Sequence, residues 1–357
     1  NQVLIKQAKL MASNPSERTI CARLMNDRFA LCLPREEFDE KRVADSVKEL
    51  QCEFTGNSFH LHMYMGVYEI RDRDEAVSIM VDKANIAADT IKNNYDCCVA
   101  YYDEHLLEIS IEQRRLLGEF EPALQNDEFV MYLQPQVKRD GAAKGAEALV
   151  RWVHPSRGIL TPYAFIDILE NAGLIYKLDL YIWEKAAQKL AEWKEKGYGS
   201  YHISVNISTK DFYIIDIYET FTGLINKYGI AASNLHLEIT ETTLMTDFEK
   251  NMNIIHKLQG VGFRVEIDDF GSGYSSLNML KDISADVLKI DMGFLRKSEN
   301  EVKGQDILES IITLAGKIGM DVITEGVETK KQLDMLTMMG CHEFQGYYFS
   351  KPVPVSE

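Results

Sequence analysis

Two adjacent carboxylates, Asp268 and Asp269, stand at the end of a short strand-like run, RVEID over 264–268, and lead straight into the turn FGSG. Alternation sends neighbouring side chains of a strand to opposite faces, so both acids can serve one site only where the strand gives way to the turn and the second swings round. Gly271 and Gly273 permit that turn. Hard oxygen donors so placed can bridge two divalent cations, or one can hold a cation while the other takes a proton. The plain alternative is a solvated acidic turn.

A site of this kind needs elements to position it, and from residue 129 onward strand-like and helix-like stretches alternate. Strands are expected over 129–137, 145–152, 202–207, 236–240, 264–268, 287–290, 321–324 and 342–349, and helices over 163–172, 181–196, 210–228, 248–258, 305–318 and 330–339. Eight strands with intervening helices predict an α/β fold, a (β/α)8 TIM-like barrel. Residues 138–141 and a few small residues cannot form a crossover helix, so the first two strands must pair antiparallel. Chemistry in such barrels sits at the carboxyl ends of the strands. There the sequence places Glu147, Asn206, Glu238 with Glu241 beyond it, Asp268 and Asp269, Lys289 and Asp291, Glu325 and Glu328, and Gln345. Singly each has a bland reading: Asn206 caps a helix, Lys289 pairs with a carboxylate, Gln345 satisfies backbone. Together they form a cage of hard oxygens plus one ammonium, suited to Mg²⁺ or Mn²⁺.

Composition bounds the partners. With 39 basic against 55 acidic residues the net charge is −16, so a nonspecific grip on a nucleic acid polymer or an anionic membrane is excluded, while cations can still draw a small anion into an acidic pocket. The six cysteines show no CxxC spacing and read as free thiols. No apolar run is long enough for a membrane span. The chain starts at Asn1 inside a helix-like stretch, so we expect a cytoplasmic protein, or the cytoplasmic part of a longer, membrane-anchored one.

The segments EALVRW (147–152), VNIS (205–208), LEITET (237–242), IDDFGSGYSSL (267–277), LKID (288–291), TEGVET (324–329) and QGYYFSKP (345–352) resemble the EAL-type cyclic-di-GMP phosphodiesterases, over about residues 108–355. The resemblance implies metal-dependent hydrolysis of cyclic di-GMP to linear pGpG, with two divalent cations, Mg²⁺ or Mn²⁺, and a homodimer formed through the barrel. By motif, Glu147, Asn206, Glu238 and Asp268 would hold one cation, and Asp268, Asp269 and Glu325 the second. Lys289 would orient the attacking water, Glu325 or Glu328 would take its proton, and Glu241 would anchor the loop 269–277. Arg151 would face a substrate phosphate, with Asp291, Gln134 and Gln345 on the substrate side. Degenerate relatives bind the dinucleotide without turnover, so a silent receptor is the alternative. Without the resemblance, an enolase-like barrel with Lys289 as carbon-acid base is a third reading. Glu266 stands where the family would have a small or apolar residue; it either enters the barrel and pairs with Lys289 or snorkels to the surface.

The N-terminal part reads as a small α/β unit. A hairpin is expected over 20–33, a strand over 59–68 and a helix over 76–93, with a charged connecting helix over 108–125. His60 and His62 share a strand face but have no third metal ligand at a recognisable spacing. ARLMNDRFALCLP (22–34) resembles the signature hairpin of a GGDEF diguanylate cyclase, with Met25-Asn26-Asp27-Arg28-Phe29 replacing the motif. Both glycines and the acidic position are lost, and Ser16 and Thr19 stand in place of the inhibitory RxxD element, so the resemblance implies a partial, degenerate domain without cyclase activity. The expected organisation is a GGDEF-like domain over 1–106, a linker helix over 107–126 and an EAL barrel over 127–357.

Overall fold

A computed structural model describes residues 2–12, 16–54, 63–92, 98–270, 283–293 and 301–355. His60, His62 and most of the 269–277 loop lie outside the described residues. The chain divides into two compact units, Asn1–Arg115 and Leu116–Glu357.

The first unit holds β1 (Ile20–Arg23) and β2 (Phe29–Cys32), an antiparallel hairpin. Its turn closes by Arg28 N–H to the Met25 carbonyl at 2.8 Å, with Asn26 at φ +53. Asparagine tolerates this left-handed conformation better than most residues. β3 (Met65–Val67) pairs parallel with β4 (Val99–Tyr101), and α1 (Gln2–Ala12), α2 (Glu40–Phe54) and α3 (Val77–Asp89) complete the unit. The expected strand over 59–68 is thus three residues long among those described. The connecting helix, α4, runs Glu104–Gln125, beginning four residues before the expected start, and the division between the units falls within it.

The second unit is the predicted barrel. β5 (Phe129–Lys138) and β6 (Ala143–His154) pair antiparallel, as the short link between them requires. β7 (Gly158–Leu160) is a side strand on β6, and β8 (His202–Ile207), β9 (Leu235–Thr240), β10 (Arg264–Asp268), β11 (Val287–Asp291) and β12 (Asp321–Glu325) follow in parallel order. β13 (Glu343–Phe344) joins β12 to β5 and closes the ring, and β14 (Val353–Pro354) adds to β5.

Alternation along these strands produces the site. Ile203, Val205 and Ile207, Leu235, Leu237 and Ile239, and Val265 and Ile267 are buried in the apolar layer beneath the helices, each contributing on the order of 1.5–3 kcal/mol. The opposite parity, His202, Ser204 and Asn206, His236 and Glu238, Glu266 and Asp268, then lines the barrel interior. Branched apolar residues usually fill that space; here it is largely polar.

Three expectations need correction. The strand over 342–349 is confined to Glu343–Phe344: the Gln345 N–H makes the last ladder bond, to the Thr324 carbonyl at 2.9 Å, and beyond it Gly346 presses on Val327, whose carbonyl oxygen a Cβ would meet at 2.2 Å. The helix over 210–228 is two, α7 (Asp211–Ile214) and α8 (Ile217–Tyr228), since the Asp216 side chain caps the second by accepting from the Glu219 N–H. The helix over 181–196 starts earlier, at Ile175.

Candidate active site

At the carboxyl end of the barrel the Lys289 ammonium, on β11, is fully buried inside a ring of carboxylates. Its Nζ lies 2.8 Å from Glu325 on β12, 2.9 Å from Glu238 on β9, 3.4 Å from Glu147 on β6 and 3.4 Å from Asp268 on β10. By distance these are ion pairs, but their angles leave Lys289 Nζ, both Glu238 oxygens and Asp268 Oδ1 without a hydrogen-bond partner. Burial opposes the lysine's charge, yet Asp268, Glu147, Glu238 and Glu325 together hold its pKa well above the usual value. Those four carboxylates thus favour its ammonium form.

The acids carry the strain of this crowding. Burial, reinforced by Glu147, pushes the Glu238 carboxyl well above the usual range. Burial likewise takes Glu325 up to about 8, against the pull of Lys289 and with the push of Asp268 and Glu147. One ammonium does not balance four carboxylates, and uncompensated buried charge costs several kcal/mol, on the order of 3–5.

Asp268 and Asp269 do converge. Asp269 adopts φ +53, the left-handed conformation that swings the second acid back toward the first. One oxygen each from Asp268, Asp269 and Glu325 lie within 4.8 Å of one another. Burial and the neighbouring Asp268 raise the Asp269 carboxyl. The donors are hard oxygens, Asp268 Oδ1 is buried without a hydrogen-bond partner, and the local charge is negative, so this set fits a divalent cation.

The remaining expected residues are distributed around the ring. Asn206 is exposed at its rim and donates from Nδ2 to Glu147 Oε1 at 3.2 Å. Gln345 is buried and donates from Nε2 to Glu147 Oε2 and, at 3.3 Å, to Gln134 Oε1, so Gln134 and Gln345 belong to the same network. Arg151 is half-buried, donates to the Val150 carbonyl at 2.7 Å and lies over the Tyr132 ring at 5.5 Å. Asp291 is exposed and accepts from the Gly293 N–H at 2.6 Å. Glu328 is exposed in the loop after β12, and Glu241 opens α9 (Glu241–Thr246) directly after β9; the loop that Glu241 was expected to anchor lies largely outside the described residues.

Glu266 departs from both expectations. It enters the barrel and is fully buried, so it does not snorkel; it pairs with His236 at 2.6 Å rather than with Lys289. Burial works against its charge, but the hydrogen bond and charge of His236 bring it down to about 2. Sequence reading missed His236, His202 and Gln136, whose interior positions follow from their parity with Glu238, Asn206 and Gln134.

A family model, the EAL domain, matches residues 118–352. The chain is 30% identical over 367 residues to the bifunctional diguanylate cyclase/cyclic di-GMP phosphodiesterase MucR of Pseudomonas aeruginosa, covering 99% of this chain and 53% of that protein. It is 33% identical over 232 residues to the cyclic di-GMP phosphodiesterase PdeR of Escherichia coli, covering 65% of this chain and 35% of that protein. The chain therefore spans about half the length, or less, of these curated relatives. Among solved structures, the PaMucR phosphodiesterase in complex with c-di-GMP is 33% identical, covers 68% of this chain and 98% of that one, and superposes with a TM-score of 0.65. The EAL enzyme Bd1971 bound to cAMP and cyclic di-GMP is 26% identical, with 92% and 79% covered and a TM-score of 0.66.

Proposed function

The chain belongs to the EAL domain family, and from that membership we propose that it hydrolyses one phosphodiester of cyclic di-GMP to linear pGpG with two divalent cations, Mg²⁺ or Mn²⁺. The observation that carries the reading is the buried Lys289 ammonium ringed by Glu147, Glu238, Asp268 and Glu325. The cyclic di-GMP phosphodiesterase activities of MucR and PdeR support the substrate.

Glu147, Asn206, Glu238 and Asp268 would hold one cation, and Asp268, Asp269 and Glu325 the other. Five carboxylates and one ammonium carry a formal charge of about −4, which two divalent cations would cancel. When bound, the cations would acidify a water and offset the charge that develops on the phosphate. Lys289, whose ammonium form the neighbouring carboxylates favour, would orient the attacking water. Glu325 or Glu328 would help remove the water's proton. Arg151 leaves the Val150 carbonyl to offer its guanidinium to a phosphate oxygen, while Gln134, Gln345 and Asp291 contact the nucleotide and Glu241 anchors the loop 269–277. We further read residues 1–106 as a degenerate GGDEF-like domain, 107–126 as its linker helix and 127–357 as the catalytic barrel. The barrel pairs with a second copy, and the protein works in the cytoplasm, by itself or as part of a longer, membrane-anchored chain.

The test is turnover of cyclic di-GMP by the purified chain with Mg²⁺ or Mn²⁺, beside Glu147→Ala and with Ca²⁺ as a non-supporting ion. Formation of pGpG that the substitution abolishes supports the reading. Tight binding without product under every metal overturns it in favour of a silent receptor.

A further inference from the structure

Below the catalytic ring, at the opposite mouth of the barrel, β8, β9 and β10 carry a second set of interior side chains: His202, His236 and Glu266. We propose that these three residues form a separate transition-metal site, for an ion of the Zn²⁺, Co²⁺ or Ni²⁺ class. Two imidazoles and a carboxylate suit such ions, whereas the all-oxygen set above suits Mg²⁺ or Mn²⁺.

The three residues are 9%, 3% and 0% exposed, and one ligand atom of each lies within 4.8 Å of the others. Glu266 Oε2 has no hydrogen-bond partner despite complete burial. A buried carboxylate oxygen without a partner is costly unless something is built to meet it.

The hydrogen bonds sort the ring nitrogens. His202 Nε2 meets Gln136 Oε1 at 2.7 Å, and His236 Nε2 meets the Ser233 carbonyl at 3.2 Å. With each Nε2 donating to its oxygen, Nδ1 is the ligating nitrogen of both rings: His202 directly, and His236 once it gives up the hydrogen it shares with Glu266 Oε1 at 2.6 Å. In metal sites the non-ligating ring nitrogen of a histidine commonly keeps such an acceptor, which selects the tautomer. Burial, with the neighbouring His236, brings His202 down to about 3, so its lone pair stays available at neutral pH. Space for the His202 ring is provided by Gly145, where a Cβ would meet the ring at 2.5 Å.

The rings stack at 3.8 Å with an interplanar angle of 4°. Ligation therefore turns them about χ2, a broad torsion for histidine, and displaces the proton held between His236 Nδ1 and Glu266, which leaves to solvent. Entry is through a recess of about 440 Å³ lined by these three residues with Lys144, Tyr201 and Arg264. The two cations there are already paired, Lys144 with Glu343 and Arg264 with Asp321 at 2.6 Å.

The test is titration of the chelator-treated full chain with Co²⁺ in excess Mg²⁺, which fills oxygen-donor sites. The expected result is an intense visible band of low-coordinate, nitrogen-ligated Co²⁺ and a raised Tm, both lost in His202→Gln and in Glu266→Gln and both retained in Glu147→Ala. Only the weak spectrum of six-coordinate Co²⁺, or a band that survives in His202→Gln, overturns the proposal. Should the variants misfold, ¹⁵N-histidine spectra of the unsubstituted chain decide it. Zn²⁺ should shift two Nδ1 resonances while the paired Nε2 protons persist; unchanged Nδ1 signals overturn it.

Discussion

Glu266 lies directly beside Glu238 in the parallel register of β10 and β9, yet its carboxylate turns away to His236, 2.6 Å distant. Two neighbouring interior carboxylates thus take different partners. Glu266 takes the imidazole below, and Glu238 is left to Lys289 above, 2.9 Å away.

Removing one partner of the lower pair strands the other. His236→Leu should destabilise the metal-free protein by about 3–5 kcal/mol, the cost of an uncompensated buried charge. His236→Leu with Glu266→Gln should recover most of that loss. Urea denaturation of the two single variants and the double variant gives the coupling; additive losses would refute the pairing.

Lys289→Met removes the only ammonium of the carboxylate ring among the described residues. Without divalent cations its Tm should fall well below that of the unsubstituted chain, and Mn²⁺ should close much of the gap. Turnover should stay depressed by at least about 10²-fold even with Mn²⁺. Equal Tm shifts with and without Mn²⁺ would show that the ring does not exchange one cation for another.

Asp269 is held at φ +53. Asp269→Gly and Asp269→Ala both delete the carboxylate and should both abolish most turnover. Only the alanine variant pays for a left-handed Cβ, on the order of 1–2 kcal/mol. Denaturant midpoints that do not separate the two variants would mean that the conformation relaxes.

His202 has its folded pKa lowered to about 3 from an ordinary 6.5. The unfolded chain then binds a proton between those values that the folded chain does not, so its contribution to stability is complete above about pH 6.5. Stability is lost as pH falls toward 3, by at most about 1.4 kcal/mol per pH unit. In the presence of chelator, His202→Gln should show a shallower fall of Tm over that range; an identical slope would assign the acid sensitivity to other groups.

Local periodicity was enough to establish the alternation of strands and helices, and the brevity of residues 138–141 forced the antiparallel first pair. Motif residues at strand ends were legible for the same reason: a strand's period of two fixes which side chains point inward, and the same rule would have found His202, His236 and Gln136. Element ends were less legible. The last strand stops at Phe344, past which Gly346 packs against the Val327 backbone, a contact that exists only once β12 and β13 are side by side.

What the sequence could not determine was the choice of partners inside the ring. Gln345 reaches Glu147 across 198 positions of chain, and Glu266 selects His236 over Lys289. Both outcomes depend on the closure and register of the barrel. A side chain's parity is a property of its own strand, but the distance between two charges on different strands is decided only when the ring closes.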